Sequence, residues 1–319
     1  MTPELEHTCQ VFGHFLRRDA LKAGYNERSF HRLTRSGTLI RIRPGAYTTI
    51  AMWEAMSGAQ RYAARSRAAA RSARTDVVLS HTSSLAMLTD KWWDLPLDEV
   101  HLTRRDGRVG RREAGVRQHS GLILPGDVEL DGELERMNPT RTALEVATLV
   151  DFERALCVIN SLLHEGLTTV ERLRHSVVDM QHWPHTLNQE VLLTCADPRV
   201  ESIGETRTFC ALRRAGYPRP EPQHEVRNEA GKLVARLDFV IWALGIWIEF
   251  DGKEKYLRFR RPGESVADAI LREKRRERMV ARLTRLECAR LDWYDIEHPA
   301  RLTATVDEAI AAAAHRRTA

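Results

Sequence analysis

Residues 17–47 read RRDALKAGYNERSFHRLTRSGTLIRIRPGAY. Asp19 predicts the start of a short helix that stops at Gly24, a residue at ease in the left-handed conformation that ends helices. Asn26 predicts the N-cap of a second helix reaching about Ser36, because its side-chain oxygen can accept an orphan backbone N–H. Phe30 and Leu33, three apart, give that helix a buried face. Gly37 breaks it. Thr38 to Ile42 alternates as a strand, with Ile40 and Ile42 on one side and Arg41 and Arg43 on the other. Pro44-Gly45 turns the chain and Ala46-Tyr47 returns. Helix, turn, helix and two-stranded wing is the order of a winged helix-turn-helix, whose second helix lies in the major groove. Arg28, Ser29, Arg32 and Arg35 then face guanine edges and phosphates. Arg41 and Arg43 grip the flanking phosphate backbone.

Working outward, a segment rich in Ala and Arg, Glu54 to Arg74, predicts a helical bridge. Arg67, Arg71 and Arg74 share one face of it, as a solvated face or a phosphate-contacting stripe. The whole chain has 319 residues, with 49 Lys and Arg against 44 Asp and Glu. That basic excess favours polyanionic partners without proving one. Five scattered cysteines form neither a zinc spacing nor a disulfide framework, which predicts reduced thiols and a cytoplasmic setting. No apolar run approaches the roughly 20 residues that span a bilayer, so no membrane partner is expected.

Three domains are expected: 1–50 as the DNA reader, 51–195 as an α/β middle domain, and 196–319 at the C-terminus. The middle domain offers no nucleophile-and-base pair and no metal cluster. Its His81, beside Ser80, is read as a structural histidine, and the part as a scaffold.

The C-terminal chemistry lies in Arg236-Leu237-Asp238-Phe239-Val240-Ile241-Trp242 and Gly245-Ile246-Trp247-Ile248-Glu249-Phe250-Asp251. These segments predict a β-hairpin closed by a two-residue turn at Leu244-Gly245, pairing Val240 with Glu249 and Asp238 with Asp251. Phe239, Ile241, Ile248 and Phe250 then share one face, and Asp238, Glu249 and Asp251 form a surface patch on the other. A slip of one residue would scatter both sets. Neighbouring carboxylates repel and raise one another's pKa, a cost that a hard divalent cation removes. Mg²⁺ takes one or two carboxylates plus waters and phosphate oxygens. Lys253 and Lys255 follow directly and can offset developing phosphate charge.

The N-terminal stretch resembles the N-terminal domain of AbiEi-family antitoxins of type IV toxin–antitoxin systems. The likeness continues through Leu79-Ser80-His81-Thr82-Ser83-Ser84-Leu85-Ala86, Val100-His101-Leu102-Thr103 and Asn138-Pro139-Thr140-Arg141-Thr142-Ala143-Leu144-Glu145-Val146-Ala147. It implies DNA-binding autoregulation and a cognate toxin protein as partner. Val200 to Ile296 resembles the PD-(D/E)XK nuclease superfamily, in its very-short-patch-repair-like branch. That resemblance implies a metal site of Glu205, Asp238, Glu249 and Asp251, with Asp238, Glu249, Asp251 and Lys253 catalytic and Mg²⁺ or Mn²⁺ as cofactor. Asp251 stands where the family's E-x-K element has lysine, so Lys253, Lys255 or Lys274 would have to replace that cation.

The expected architecture is therefore mixed α/β and multidomain: a winged helix-turn-helix, an α/β middle domain and a restriction-endonuclease-like C-terminal domain. The expected function is binding of double-stranded DNA with Mg²⁺-dependent endonuclease cleavage. The alternative is an AbiEi-type antitoxin or transcriptional regulator carrying a non-catalytic nuclease fold. A third reading is a defence effector with a protein partner.

Overall fold

A computed structural model of the chain describes residues 1–180, 183, 184, 186, 188–252 and 265–318. The chain divides into two compact units, Met1–Val158 with Leu167–Thr194, and Ile159–Gly166 with Cys195–Ala319. Together they form a mixed α/β chain with three sheets. Among the described residues, no helix is long and apolar enough to cross a membrane.

The first unit opens with α1 (Pro3–Phe12), β1 (Phe15–Leu16), α2 (Arg17–Lys22), α3 (Glu27–Arg35), β2 (Leu39–Arg43) and β3 (Ala46–Thr49). The strands form a small sheet in the order β1-β3-β2. Leu5, Cys9, Phe15, Ala20 and Phe30 make the core between helices and sheet, and Leu33 and Tyr47 pack against it. Asn26 caps α3 as expected, its Oδ1 accepting the Ser29 N–H at 2.8 Å. Asp19 does not begin α2. It sits in the first turn, where its carboxylate accepts the Leu16 N–H at 2.8 Å.

Next come α4 (Ile50–Ala55), α5 (Gly58–Ser72), β4 (Val77–Leu79), α6 (His81–Leu88), β5 (Val100–Arg104), β6 (Arg112–Glu113), β7 (Val116–Ser120), β8 (Val128–Asp131), β9 (Leu134–Met137), α7 (Pro139–Ala147), α8 (Phe152–His164), α9 (Val170–Asp179) and α10 (Gln189–Cys195). The six strands form one sheet, β6-β7-β5-β4-β9-β8. The expected arginine face of the bridge is split: Arg74, past α5, is exposed, whereas Arg71 is drawn inward. The small residues Ala63, Ala64, Ala68 and Ala69 of α5 are buried. Arg71 turns inward to Asp19 at 2.9 Å and lies over the Phe12 ring.

His14 completes this junction. Its Nδ1 lies 3.0 Å from the Phe12 carbonyl and its Nε2 lies 3.3 Å from an Arg71 guanidinium nitrogen. A neutral ring donates at Nδ1 and accepts from Arg71 at Nε2. Burial lowers its pKa from 6.5 to about 4, and the Arg71 charge lowers it further against the Phe12 hydrogen bond. With the folded value depressed, the native state binds fewer protons than the unfolded chain between those values. Stability is therefore intact above pH 6.5 and falls as pH drops towards 4. Between pH 7 and 5 this one ring is expected to cost about 2 kcal/mol. His14→Gln keeps a donor and an acceptor without the titration. Urea melts at both pH values should show a smaller loss in the variant; equal losses contradict the assignment.

The second unit contains α11 (Ile203–Arg214), β10 (Glu221–Arg227), β11 (Leu233–Ile241), β12 (Ile246–Phe250), α12 (Val266–Thr284), β13 (Glu287–Leu291), α13 (Trp293–Glu297) and α14 (Pro299–Thr318). Its sheet runs β10-β11-β12-β13, with β13 parallel to β12 and the other pairs antiparallel. The hairpin register differs from the expected one. Phe239 faces Ile248, Val240 faces Trp247 and Ile241 faces Ile246. The connection is a 3-10 turn, Trp242–Leu244, closed by Gly245 at φ 72°. The slip is two residues rather than one, so the faces survive. Asp238, expected opposite Asp251, instead precedes the ladder's last pair, Phe239–Ile248, and its side chain takes the Phe250 N–H. Nor is the acidic face a surface patch. Val240 and Trp247 share it and pack with Val280 of α12, and Glu249 is 7% exposed.

Candidate functional site

On α3, Arg28, Arg32 and Arg35 are four and three residues apart and therefore project from one face. All are exposed, and with Glu27, His31 and Ser36 they line a shallow concavity of about 750 Å³. Among the described residues, none of the three arginines is held in an ion pair. Ser29 is placed differently. Its hydroxyl accepts the Asn26 N–H at 2.9 Å and donates to the Asn26 carbonyl at 3.0 Å, so it serves the helix cap. On the hairpin, a bulge between Arg41 and Arg43 breaks the alternation. A bulge re-aims side chains. Arg41 is exposed, whereas Arg43 is half-buried, its Nε has no hydrogen-bond partner among the described residues, and burial lowers its pKa.

In the second unit Glu249 on β12 pairs with Arg290 on β13, and Asp238 on β11 and Gln223 on β10 lie beside this row, each next to a paired residue. Asp238 Oδ2 accepts the Phe250 N–H at 2.8 Å. Glu205, from the first turn of α11, comes to the same row. Its carboxylate accepts from Gln223 Nε2 at 2.7 Å, Ser202 Oγ at 2.8 Å and the Glu201 N–H at 3.0 Å. Burial raises its pKa, and the nearby Asp238 carboxylate raises it further. Gln223 reaches Glu205 from a backbone at φ 56°, a conformation rare for residues other than glycine. Asp251 lies just past β12, 3.8 Å from Arg290.

Lys253 and Lys255 lie outside the described residues, and Lys274 is exposed on α12. Arg276, two residues along that helix, reaches Glu249 at 3.3 Å and Glu273 at 2.9 Å. Burial alone would lower its pKa, but those two acids outweigh it and hold it raised. Sequence reading missed Gln223 and Arg276 because neither belongs to the hairpin that carries the acids. Among the described residues, no three of Glu205, Asp238, Glu249 and Asp251 bring ligand oxygens within 4.8 Å of one another.

Gly204 sets how closely α11 approaches the row. A Cβ at this position would stand 2.0 Å from Cε1 of Phe250. Gly204→Ala is expected to push α11 away from β12, carrying Glu205 with it, at a cost of about 1–3 kcal/mol. A denaturation midpoint equal to wild type contradicts this packing.

The middle sheet holds a cluster that sequence reading did not find. His81 begins α6, His101 lies on β5 and His119 on β7, and their ligand nitrogens lie within 4.8 Å of one another. Parallel pairing of β5 with β7, which sets His101 opposite Arg117, brings two of them together. His81 also has an acidic partner, Glu145 on α7, with its Nδ1 3.5 Å from Oε2. Burial, and then the neighbouring rings and Arg117, lower the histidine pKa values: His81 well below the usual value, His101 to about 3 and His119 to about 4. All three rings are therefore neutral at physiological pH.

A family model described as "Transcriptional regulator, AbiEi antitoxin" matches residues 10–50, the segment that carries α2, α3 and the β2–β3 hairpin. No curated protein matches the chain. The family match supports a DNA-binding regulator role for the chain.

Proposed function

We propose that the chain is a duplex-DNA-binding regulator whose N-terminal winged helix-turn-helix reads the major groove through α3. The observation that carries this reading is the exposed face of Arg28, Arg32 and Arg35, inside the matched segment and without an ion pair among the described residues. Guanidinium forks suit guanine edges and phosphate oxygens alike. Arg41 on the hairpin serves as the flanking phosphate contact. Ser29 and Arg43, engaged in the cap and half-buried, contribute less than their sequence positions suggest. As in the AbiEi family, a cognate toxin protein is the proposed protein partner.

The second unit is proposed to be a PD-(D/E)XK nuclease-type domain. Its order of acid-bearing helix, hairpin, helix and final strand is the order the resemblance calls for, and the charge of Asp238 is felt by Glu205 of the helix. Asp238 and Glu249 would hold Mg²⁺ or Mn²⁺, with Glu205 and Asp251 beside them. Such an ion polarises a phosphodiester and lowers the pKa of bound water. The chain's own residues bring the acids together, and Arg276 offsets their charge. The second reading is a regulator whose nuclease fold binds without cutting. It is favoured by Asp251 at the family's lysine position and by an arginine, not a lysine, at Glu249.

The regulator reading is tested by selecting binding sites from random duplex DNA with the full chain. A shared sequence motif should emerge and be lost in Arg28→Ala/Arg32→Ala. No enrichment with wild-type protein contradicts the assignment.

A further inference from the structure

We propose that His81, His101 and His119 are the protein ligands of a divalent transition-metal ion, in a site separate from the carboxylate row. Three imidazoles from three elements, far apart in sequence, converge within ligand distance, which random surface histidines do not do. The ligand set is all nitrogen. Imidazole suits Zn²⁺, Co²⁺, Ni²⁺ and Cu²⁺, whereas Mg²⁺ and Ca²⁺ prefer oxygen. The two sites in this chain therefore call for different metals.

The surroundings of the trio are those of a ligand set. His81 Nδ1 lies 3.0 Å from Ser80 Oγ and close to Glu145, which leaves Nε2 as the coordinating nitrogen. An outer partner of this kind fixes the tautomer and orientation of metal-binding histidines. Glu145 also accepts the His81 N–H at 3.0 Å and is itself held by Arg141 at 3.0 Å, so this outer partner is fixed in place. His101 Nδ1 and His119 Nε2 face each other at 2.9 Å. Two nitrogens bound tetrahedrally at zinc distances stand about 3.3 Å apart, so replacing the shared proton by an ion opens this pair by only a few tenths of an ångström. The rings of His81 and His119 are stacked, 3.9 Å between centroids, and turn towards an ion by rotation about χ2, a soft torsion.

Two further features point to use rather than mere packing. His81 sits at φ 50°, in the left-handed region that few residues other than glycine adopt. Such strain persists where the surroundings demand a particular side-chain aim. His81 and His119 also line a cleft of about 510 Å³ with Arg117 and Arg141. The cleft is an entry path and leaves a fourth position for water or an anion.

The test uses the full chain, stripped with chelator and reloaded with Co²⁺ as a spectroscopic probe, then with Zn²⁺ for affinity. Wild-type protein should show the strong visible absorption of tetrahedral Co²⁺ and bind one Zn²⁺. His81→Asn, which tolerates the left-handed backbone, and His119→Asn should abolish the band. Ser80→Ala, which alters only the positioning partner, should weaken Zn²⁺ binding about 10–100-fold. An unaltered band in both histidine variants, or no Zn²⁺ retained by wild type, overturns the proposal. Should the variants fail to fold, X-ray absorption on zinc-loaded wild type decides: imidazole scattering supports the site and an oxygen-only shell overturns it.

Discussion

Asp238→Asn or Glu249→Gln is expected to reduce Mg²⁺-dependent plasmid cleavage by more than about 100-fold, the most that outer-sphere changes at metal sites cost. Both substitutions keep shape and hydrogen-bonding atoms while removing charge. Asp238 Oδ2 accepts the Phe250 N–H at 2.8 Å, a bond that the remaining amide oxygen of Asn can retain. Glu249 faces Arg276 at 3.3 Å, so Gln removes the ion pair while its amide oxygen can still accept, and Glu273 still holds the guanidinium. Duplex binding through α3 should be unchanged in both variants. If the domain binds metal without turnover, wild type does not cleave and the substitutions lower Mn²⁺ affinity instead. A wild-type chain that neither cleaves DNA nor binds Mg²⁺ or Mn²⁺ ends both versions.

Removing the α3 charges is the second large effect. Arg28→Ala/Arg32→Ala/Arg35→Ala is expected to weaken duplex binding by about 100-fold or more, since each good arginine–base pair contributes roughly 1–3 kcal/mol of discrimination. The fold should tolerate the change, because all three side chains are exposed and the α3 core contact is Phe30. Gel shifts with a selected site measure it, with circular dichroism confirming the helix. Arg43→Ala should weaken binding less than Arg41→Ala. Its half-buried guanidinium already spends part of its length inside the hairpin.

Local signals were legible in the sequence, and distant pairings were not. Asn26 and the Phe30–Leu33 spacing located α3 correctly, because capping and helical periodicity act within one turn. The two faces of the C-terminal hairpin were legible because strand side chains alternate. The register was not, because a 3-10 turn with Gly245 in the left-handed region shifts pairing by two residues and leaves every face unchanged. A pattern of period two cannot distinguish such registers. Glu205 came only through a family likeness, and its neighbour Gln223 not at all. Arg276 escaped because a helix after the hairpin delivers it. The histidine trio was invisible for the same reason: parallel pairing of β5 and β7 and the strand-to-helix turn at Ser80 create it, and no short motif spans those elements.

In the proposed regulator, α3 contacts the DNA backbone and bases through its arginines. The most direct test of this contact is the salt dependence of duplex affinity for the full chain. Counterion release makes log K fall linearly with log salt, with a slope of about −0.9 for each phosphate neutralised. Wild type is expected to show a steep slope. Arg28→Ala/Arg32→Ala/Arg35→Ala should flatten it by about one for each arginine that touches phosphate. A triple variant with the wild-type slope and affinity would contradict the account.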